Sequence, residues 1–503
     1  LGGNWSDEIM RARMTRHLTA NQIAQLYPPY PADGQVALTE YASLLGDLPL
    51  DELAAALPPP PPRNNGSNNW AVSGARSATG KPLLANDPHL SLGAPAIWYF
   101  AHLSAPGLNV IGATLPGVPS VVLGRNDSIA WGFTNTGPDV QDMFIERIDP
   151  NDPARYATPD GWKPFEIRRE VIRVKDADDV IMEARLTRHG PVISDIVTNA
   201  RDPLRENEVL AFAWTALADD DLTVQAGRKI NVARNWDEFR DALRDFHAPQ
   251  QNIVYADVDG NIGLYAPGLV PIRKPGNLSR GRLPARGWLA ADDWDGFIPF
   301  EDLPNSFNPA GGAIATANNK IVPDDYPYFI SDDWAPPFRA ERIGALLADR
   351  ESHSIESFKE IQGDIRSGVA RDFLPFLAAA QLTGTAAGAG ALLAAWDGDM
   401  DRKRPEPLIY AAWMRELTRL VYADELGELF ASFWDNRPVF MLNVLRTHQE
   451  WCDDITTGPR ETCDETVAAA LERAVAALAE EYGDDPDDWR WGEAHTAHSE
   501  HRP

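Results

Sequence analysis

The sequence predicts an α+β fold built on an antiparallel sheet. Segments typical of strands fill most of residues 67–214, and turn residues separate them at intervals of about ten, the spacing of antiparallel strands. Helical patterns appear at 220–246 and dominate from 338 to about 483. Because strands come first and helices later, we do not expect the alternating pattern of a parallel βαβ sheet.

The N-terminal region is predicted to be helical and to end in a linker. Apolar and charged residues alternate at helical spacing over residues 7–27, and a second short helix is expected near 38–56. Five consecutive prolines follow, from Pro58 to Pro62. Proline lacks an N–H and fixes φ, so this run is predicted to be extended and accessible to cutting. The predicted division is a helical segment 1–57, a linker 58–66 and a third segment from residue 67 to 503.

Strand segments between the linker and residue 214 are rich in apolar, β-branched and aromatic residues. They are 70–72, 82–85, 97–103, 108–112, 118–124, 129–134, 165–174, 180–188 and 209–214. Residues 254–265 are predicted to form a hairpin with Asp-Gly-Asn at its turn, and residues 268–335 long ordered loops. Helices are predicted at 339–349, 355–366, 371–382, 387–396, 406–426 and 464–482.

Bulk composition excludes some classes of function. With 74 acidic against 46 basic residues, the formal net charge of −28 opposes binding to nucleic acid or to anionic membranes. No apolar run reaches the roughly 18 residues that a membrane-spanning helix needs. The chain begins at Leu1, without a signal peptide, and ends without a closing element, so we expect a fragment of a longer precursor, truncated at both ends.

The two cysteines, Cys452 and Cys463, flank a Gly-Pro pair that could turn the chain back on itself. A disulfide between them is predicted, which would fit an oxidising compartment. The alternative is two unrelated buried thiols. A metal site is disfavoured because two ligands do not complete a tetrahedron.

The stretch from Gly66 to Trp70, Gly-Ser-Asn-Asn-Trp, stands where the linker meets the first strand. A small hydroxyl residue there suits an N-terminal nucleophile. Cleavage of the Gly66–Ser67 bond would make Ser67 a chain terminus, whose own amine could act as its base. Gly, Ser and Asn are also the commonest turn residues, so the local pattern alone favours a plain turn.

Several further motifs occur in a fixed order along the chain. They are Ser67-Asn-Asn-Trp, Leu84-Ala-Asn-Asp-Pro-His-Leu, Gly112-Ala-Thr-Leu-Pro-Gly-Val-Pro, Trp131-Gly-Phe-Thr-Asn-Thr-Gly-Pro-Asp-Val-Gln-Asp, Tyr255-Ala-Asp-Val-Asp-Gly-Asn-Ile-Gly, Ala315-Thr-Ala-Asn-Asn and Trp491-Gly-Glu-Ala-His-Thr-Ala-His. Together they resemble the penicillin acylase family of N-terminal nucleophile hydrolases over nearly the whole chain. The resemblance implies a four-layer αββα sandwich of two antiparallel sheets with additional helical regions. Residues 1–57 would end an α-chain-like segment, and 67–503 would form the β-chain-like catalytic segment.

The resemblance also implies roles for individual residues. Ser67 would be the nucleophile, and the oxyanion hole would use the side chain of Asn318 and the backbone N–H of Asn135. His89 would contact the amine of the nucleophile and the scissile amide, orienting them without acting as the base. Arg339 would brace Asn318.

Three apolar residues, Leu90, Leu123 and Phe133, match the acyl pocket of the family. An aromatic or aliphatic acyl chain therefore fits better than a charged one such as glutaryl.

A group of oxygen ligands resembles the structural calcium site of the family. Its members would be Glu8, Asp139, the carbonyl of Gln141, Asp142, a carbonyl near Gly281, and Asp332, for which Asp324 or Asp333 would serve equally well. The alternative is a solvated acidic loop. His495, His498 and His501 suggest zinc, but without an accompanying carboxylate we do not expect a site there.

The predicted function is cleavage of an N-acyl amide of a small molecule through an acyl-Ser67 intermediate, after autocatalytic cleavage at Gly66–Ser67. The α and β chains of one precursor would form a heterodimer in the bacterial periplasm or outside the cell. One alternative is an acyl-homoserine-lactone acylase, which quenches quorum sensing. Another is a non-enzymatic relative that is not processed. A conventional serine protease is disfavoured because no Gly-x-Ser-x-Gly motif occurs.

Overall fold

The computed structural model describes residues 4–30, 66–196, 207–323 and 325–501. The predicted helix near 38–56, the proline run and Asp324 lie outside these residues. Of the predicted N-terminal helix, the structure has two pieces, separated where the chain turns before the N-cap Thr19. Within the described ranges, no helix is both long enough and apolar enough to cross a bilayer.

The first strand after the N-terminal helices begins at Gly66, the last residue of the predicted linker. In chain order they are β1 (Gly66–Val72), β2 (Leu83–His89), β3 (Gly93–Ala94), β4 (Tyr99–Ala105), β5 (Leu108–Thr114), β6 (Leu123–Arg125), β7 (Ile129–Asn135), β8 (Gln141–Asp149), β9 (Asp152–Thr158), β10 (Gly161–Pro164), β11 (Glu166–Ile172), β12 (Val180–Thr187), β13 (Gly190–Pro191), β14 (Glu208–Trp214), β15 (Gln251–Asp257), β16 (Ile262–Tyr265), β17 (Pro271–Arg273), β18 (Ala285–Arg286), β19 (Trp294–Phe297), β20 (Asn305–Phe307), β21 (Ala313–Thr316) and β22 (Glu500–His501).

Helices lie at the N-terminus, between β14 and β15, and after β21. They are α1 (Asn4–Met14), α2 (Ala20–Leu26), α3 (Thr223–Val232), α4 (Trp236–Leu243), α5 (Phe338–Ala348), α6 (Ile355–Gln362), α7 (Gly368–Ala379), α8 (Gly384–Ala395), α9 (Glu406–Leu426), α10 (Phe430–Phe433), α11 (Pro438–Arg446), α12 (Cys463–Tyr482) and α13 (Trp491–Ala494).

Two antiparallel sheets face each other at the centre of the molecule. One has the strand order β2-β1-β21 and the other β20-β16-β15-β7-β6-β5-β4. Successive side chains of a strand point to opposite faces. Accordingly, Trp70 of β1 packs with Ile343 of α5 and Phe358 of α6, whereas Ala71 packs with Val254 of β15. The first sheet is therefore covered by helices on one side and by the second sheet on the other.

The outer face of the seven-stranded sheet is covered by α3 and α4. Trp131 of β7 and Tyr255 of β15 pack there with Ile230 of α3 and with Phe239 and Leu243 of α4. The order of layers is thus helix, sheet, sheet, helix. This confirms the predicted α+β class and the αββα sandwich.

A separate helical core occupies the C-terminal part of the chain. Trp413 and Leu417 of α9 are fully buried in it, and Ile23 and Leu26 of α2 pack into the same cluster. The predicted disulfide joins Cys452 to Cys463 at the start of α12, so that prediction is confirmed.

Some elements were not predicted. The strands β8, β9 and β10 and helix α11 were missed, and residues 268–335, predicted to be loops, contain the short strands β17 to β21. Asp152-Pro153 opens β9, and these residue types are typical of a turn. Their participation in a strand depends on pairing between β8 and β9, which the local pattern does not show.

Candidate active site

Ser67 is the second residue of β1, and its side chain is almost completely enclosed, with 7% of the residue exposed. The antiparallel register places Gly66 opposite His89 and Ser67 opposite Pro88. The backbone nitrogen of Ser67 donates a hydrogen bond to Oδ1 of Asn318 over 2.7 Å. The nitrogen that would become the terminal amine is therefore already held by a side chain from another strand region.

Asn318 follows β21, which pairs with β1 and so brings the end of the strand next to Ser67. Its φ of +63° is left-handed, a region that asparagine enters more readily than most residues because its short amide bonds locally. Non-glycine residues held in this region often mark functional sites. The side-chain Nδ2 donates to the carbonyl of Asn135 over 2.7 Å. An amide NH₂ has two hydrogens, so one is left for a substrate oxygen.

Arg339 begins the first turn of α5 and reaches three oxygens at the site. Its Nη1 donates to the carbonyl of Ser67 at 3.0 Å and to Oδ1 of Asn68 at 2.7 Å, and its Nη2 donates to Oδ1 of Asn318 at 3.0 Å. Two donors thus meet at Oδ1 of Asn318, which fixes the orientation of that amide. All three acceptors are uncharged, and burial lowers the pKa of Arg339.

A polar layer between the two sheets supports these residues. Asn86 of β2 donates from Nδ2 to the carbonyl of Phe133 at 2.9 Å and accepts from its N–H at 2.8 Å. Asn69 of β1 donates to the carbonyl of Gly132 at 3.1 Å, and a Cβ at residue 132 would collide with Asn86. This layer fixes the end of β7, and with it Asn135, against β1 and β2.

Asn69 and Asn86 lie within the motifs quoted above, but the sequence alone assigns them no role. One signal was available, because asparagine is depleted in strands, yet both residues stand inside segments with strand patterns. A buried amide inside a strand needs partners, and here it finds them on the facing sheet.

His89 ends β2, with its side chain exposed beside the Gly66–Ser67 bond. Partial burial, followed by the charge of Arg339, lowers the pKa of its imidazole from the usual 6.5, against an opposing effect of Asp87. The ring is therefore neutral at pH 7. The orienting role of His89, in which the base is the amine of Ser67, stays a prediction.

The three predicted acyl-pocket residues are each partly buried. Phe133 of β7 packs edge-to-face on Phe246 at 5.9 Å between ring centres, next to the core under α3 and α4. Leu123 begins β6, and Leu90 follows β2 directly after His89. Their role in binding an acyl chain stays a prediction.

The predicted calcium ligands Glu8, Asp139 and Asp142 lie together, where α1 meets β8, and all three are buried. The side chain of Arg273 enters this group from β17. Burial, with the charges of Asp142 and Asp139, raises the pKa of Glu8 well above its usual range. Burial also raises the pKa of Asp139, and Arg273 opposes part of that rise.

The remaining predicted calcium ligands have other partners or only a backbone role. Asp332 pairs with Nε of Arg282 at 2.5 Å. The carbonyl of Gln141 accepts from the Asn4 side chain at 2.9 Å, and Gly281, with φ of +71°, packs against Asp139.

Of the three histidines weighed for zinc, His495 stacks on Trp491, and Nε2 of His498 lies 2.6 Å from Oγ1 of Thr496. His501 is in the short strand β22, which pairs with β3.

The sequence and fold were compared with known proteins. The family model described as penicillin amidase matches residues 1–503. The chain belongs to this family. It is 29% identical to the acyl-homoserine lactone acylase QuiP of Pseudomonas aeruginosa, over 99% of this chain and 63% of that protein. It is 35% identical to the penicillin acylase 2 proenzyme of Pseudomonas sp. (strain SE83), over 71% of this chain and 45% of that protein.

A solved structure of the same family shares the fold. The thermostable penicillin G acylase from Alcaligenes faecalis superposes with a TM-score of 0.68 at 25% identity, covering 84% of this chain and 80% of that chain. The chain spans about 63% of the length of the QuiP acylases that it matches. The predicted resemblance to the penicillin acylase family is confirmed.

A calcium ion of the kind predicted for this family does not fit the side chains as they stand. Calcium takes six to eight oxygen ligands, whereas Arg273 already donates to both oxygens of Asp142 and to one of Asp139. Across the described residues, no group of three or more His, Cys, Asp or Glu side chains is arranged to hold a metal ion. Calcium binding therefore stays a prediction, and no step of the chemistry depends on it.

Replacing Arg339 tests its role as a positioning residue in this penicillin amidase family member. Arg339→Met removes three hydrogen bonds and a charge, so we expect kcat to fall about 10²-fold, the size of losing a charge-assisted contact at a reacting group. A positive charge next to the Ser67 amine also lowers its pKa, so its removal should move the acidic limb of the pH profile to higher pH. Arg339→Lys keeps the charge but not the planar guanidinium, so it should lower kcat but leave the acidic limb of the pH profile in place. A purely structural role would lower activity without moving the limb in either variant.

His89→Gln provides a second check at the same site. Because His89 is predicted to orient groups and not to act as the base, kcat should change by less than about 10-fold, below the range of a lost general base. The acidic limb of kcat/KM should stay where it is in the unmodified protein. Loss of that limb in His89→Gln would show instead that His89 is the titrating base.

Proposed function

We propose that this member of the penicillin amidase family hydrolyses an N-acyl amide of a small molecule through an acyl ester on Ser67. The observation that carries the proposal is the 2.7 Å hydrogen bond from the Ser67 nitrogen to Asn318, an asparagine itself held by Arg339. A serine amine can serve as a base only if it is held in place next to its own hydroxyl. Asn318 positions the Ser67 nitrogen through an uncharged amide oxygen, so no additional charge is placed beside the amine.

The chemistry would proceed in two steps. The Ser67 amine takes the proton of Oγ, Oγ bonds to the acyl carbon, and the amide C–N bond breaks as the leaving nitrogen receives that proton. Water then attacks the ester, with the same amine as base, to release the carboxylic acid and restore Ser67. The remaining N–H of Asn318 and the N–H of Asn135 would stabilise the oxyanion in both steps.

An unperturbed α-amine has a pKa of about 7.7–8.0. The Arg339 guanidinium, whose acceptors are all neutral, disfavours a second positive charge beside it. The amine would therefore be neutral, and able to act as a base, at a lower pH than a free chain terminus.

Ser67 gains its amine only if the Gly66–Ser67 bond is hydrolysed, and we propose that the protein does this itself. A Cβ on Gly66 would stand 3.1 Å from Nη2 of Arg339 and 3.3 Å from Oδ1 of Asn318, so the scissile bond lies within reach of the proposed machinery. The two resulting chains would remain together as a heterodimer, with α1 and α2 from one and the sandwich from the other. We place the enzyme in the periplasm or outside the cell, which agrees with the disulfide.

Penicillin and acyl-homoserine lactones are the two substrate classes to compare. The relatives that match 98–99% of this chain are named acyl-homoserine lactone acylases, which favours the lactone alternative, whereas the 35% identical relative is a penicillin acylase proenzyme. In both substrates the reacting bond is the same amide, so the amine product distinguishes them.

The purified protein is to be incubated with penicillin G and with an acyl-homoserine lactone of similar apolar acyl size, and the products followed by mass spectrometry. We expect a free carboxylic acid together with either 6-aminopenicillanic acid or homoserine lactone. Opening of a lactone or β-lactam ring with the amide intact would contradict the proposed amide chemistry.

A further inference from the structure

Arg273 stands at the centre of the buried acidic group that joins α1 to β8. Its Nη2 donates to Oδ1 of Asp139 at 2.6 Å and to Oδ1 of Asp142 at 2.8 Å, and its Nε donates to Oδ2 of Asp142 at 2.9 Å. The arginine side chain is 7% exposed, and those of the two aspartates are 6% and 1% exposed. Arg273 therefore forms a bidentate ion pair with Asp142 and a further charge-assisted hydrogen bond with Asp139.

Two other donors also bind the aspartate oxygens. Nδ2 of Asn4 donates to Oδ1 of Asp139 at 2.7 Å, and the indole N–H of Trp294 donates to Oδ2 of Asp142 at 2.5 Å. Trp294 pairs with Arg273 across β17 and β19, so the same strand pair aims both donors at Asp142. Three of the four aspartate oxygens that a divalent ion would need, Oδ1 of Asp139 and both oxygens of Asp142, therefore already accept hydrogen bonds.

The same cluster holds the N-terminal helix to the sandwich. Asn4 also donates to the carbonyl of Gln141 at 2.9 Å, and Oε2 of Glu8 accepts from the N–H of Met143 at 3.2 Å. These contacts from α1 to β8 surround the side chains that Arg273 neutralises. A cation at this point therefore stabilises the junction between two segments that are far apart in the sequence.

We infer that Arg273 is a built-in cation that takes the place of a divalent metal ion at this junction, so that the protein needs no calcium there. A guanidinium within hydrogen-bonding distance of both aspartates offsets one of their two negative charges and would repel a second cation placed between them. Oε1 of Glu8, Oδ1 of Asn4 and Oε1 of Gln141 are buried without a hydrogen-bond partner among the described residues, but three such oxygens fall short of the six that calcium requires.

The first test is the calcium response of the unmodified protein. Its metal content after dialysis is measured by elemental mass spectrometry, and its Tm is recorded in millimolar EDTA and in millimolar CaCl₂. An ion that binds only the folded state raises its stability once the free ion exceeds its Kd. Because we infer that no calcium binds here, we expect no stoichiometric calcium and the same Tm in both solutions. One calcium per chain, or a Tm that falls in EDTA, would overturn the inference.

The second test is Arg273→Ala. Removing one partner of a buried charge pair leaves uncompensated carboxylates, so we expect Tm to fall by about 5 °C or more in EDTA. Calcium should now recover part of that loss, because the aspartate oxygens are vacant. Arg273→Lys keeps the positive charge but not the planar guanidinium. Its Tm should lie between those of the unmodified protein and Arg273→Ala, and calcium should not change it.

Arg282→Ala is the matched control, since Arg282 also pairs with an aspartate, Asp332, but at a partly exposed site. We expect little change in Tm and no calcium response. If Arg273→Ala does not fold, Arg273→Lys and the metal content of the unmodified protein still decide the question. Tm and metal content do not depend on hydrolysis, so these tests can fail without contradicting the proposed activity, and the proposed activity can fail without contradicting them.

Discussion

Ser67→Ala is expected to leave the chain in one piece and to abolish amide hydrolysis. The variant lacks the oxygen that would attack both the Gly66–Ser67 bond and the substrate. Loss of the nucleophilic serine in a hydrolase lowers kcat by about 10⁶-fold, and here the missing cleavage would also leave residue 67 without a terminal amine. Intact mass spectrometry reports the first effect, and product release reports the second.

Ser73→Ala is a suitable control for this substitution. Ser73 follows β1 at its other end and makes no capping hydrogen bond with its side chain. We expect normal cleavage and normal activity. If Ser67→Ala were processed like the unmodified protein, the proposed self-cleavage would be wrong. If it were unprocessed but fully active, the acyl-Ser67 intermediate would be wrong.

Loss of the Asn318 side chain is expected to have the second largest effect. Its Oδ1 holds the Ser67 nitrogen and its remaining N–H would face the oxyanion. Removing one oxyanion-hole donor costs about 2.7–4 kcal/mol, or 10²–10³ in kcat. Asn318→Gly is the variant of choice, because glycine adopts the left-handed φ of +63° without strain. The effect should appear in kcat more than in KM, because the oxyanion forms only in the transition state.

Asn318→Ala and Asn308→Ala separate backbone strain from chemistry. Asn308 also has a left-handed φ, +48°, but it is exposed at the end of β20 and bonds to β16. Both alanine variants should lose stability through the unfavourable φ. Only Asn318→Ala should lose hydrolysis. Equal activity losses in the two variants would mean that Asn318 acts through the fold alone.

The motifs around the strands allowed much of the site to be predicted from the sequence. Asn318 lies 251 residues after Ser67 and 21 before Arg339, yet hydrogen bonds join it to both. The bond from Arg339 to Asn318 is the contact that the resemblance implied, and the catalytic roles stay predictions. Local patterns also located β1, β2 and β7, since alternating burial leaves a clear signal in strands. The six helices predicted after residue 338 were found within a few residues for the same kind of reason, whereas α10, α11 and α13 were missed.

What the sequence did not reveal depends on partners that lie far apart in the chain. Asn69 and Asn86 support the site through contacts with β7, and nothing in their neighbours indicates which carbonyls they bond. Arg273 stands in a Pro-rich stretch that was predicted to be a loop, and its role depends on Asp139 and Asp142, more than 130 residues away. An acidic cluster in the sequence predicts a cation, but only the fold identifies an arginine from the same chain as the cation.

The N-terminal sequence of the larger chain tests the central claim most directly. When the protein is produced and purified, we expect two chains, the larger of which begins Ser-Asn-Asn-Trp, with Ser67 as its first residue. An active protein that remains a single chain, or whose larger chain begins at another residue, would contradict Ser67 as an N-terminal nucleophile.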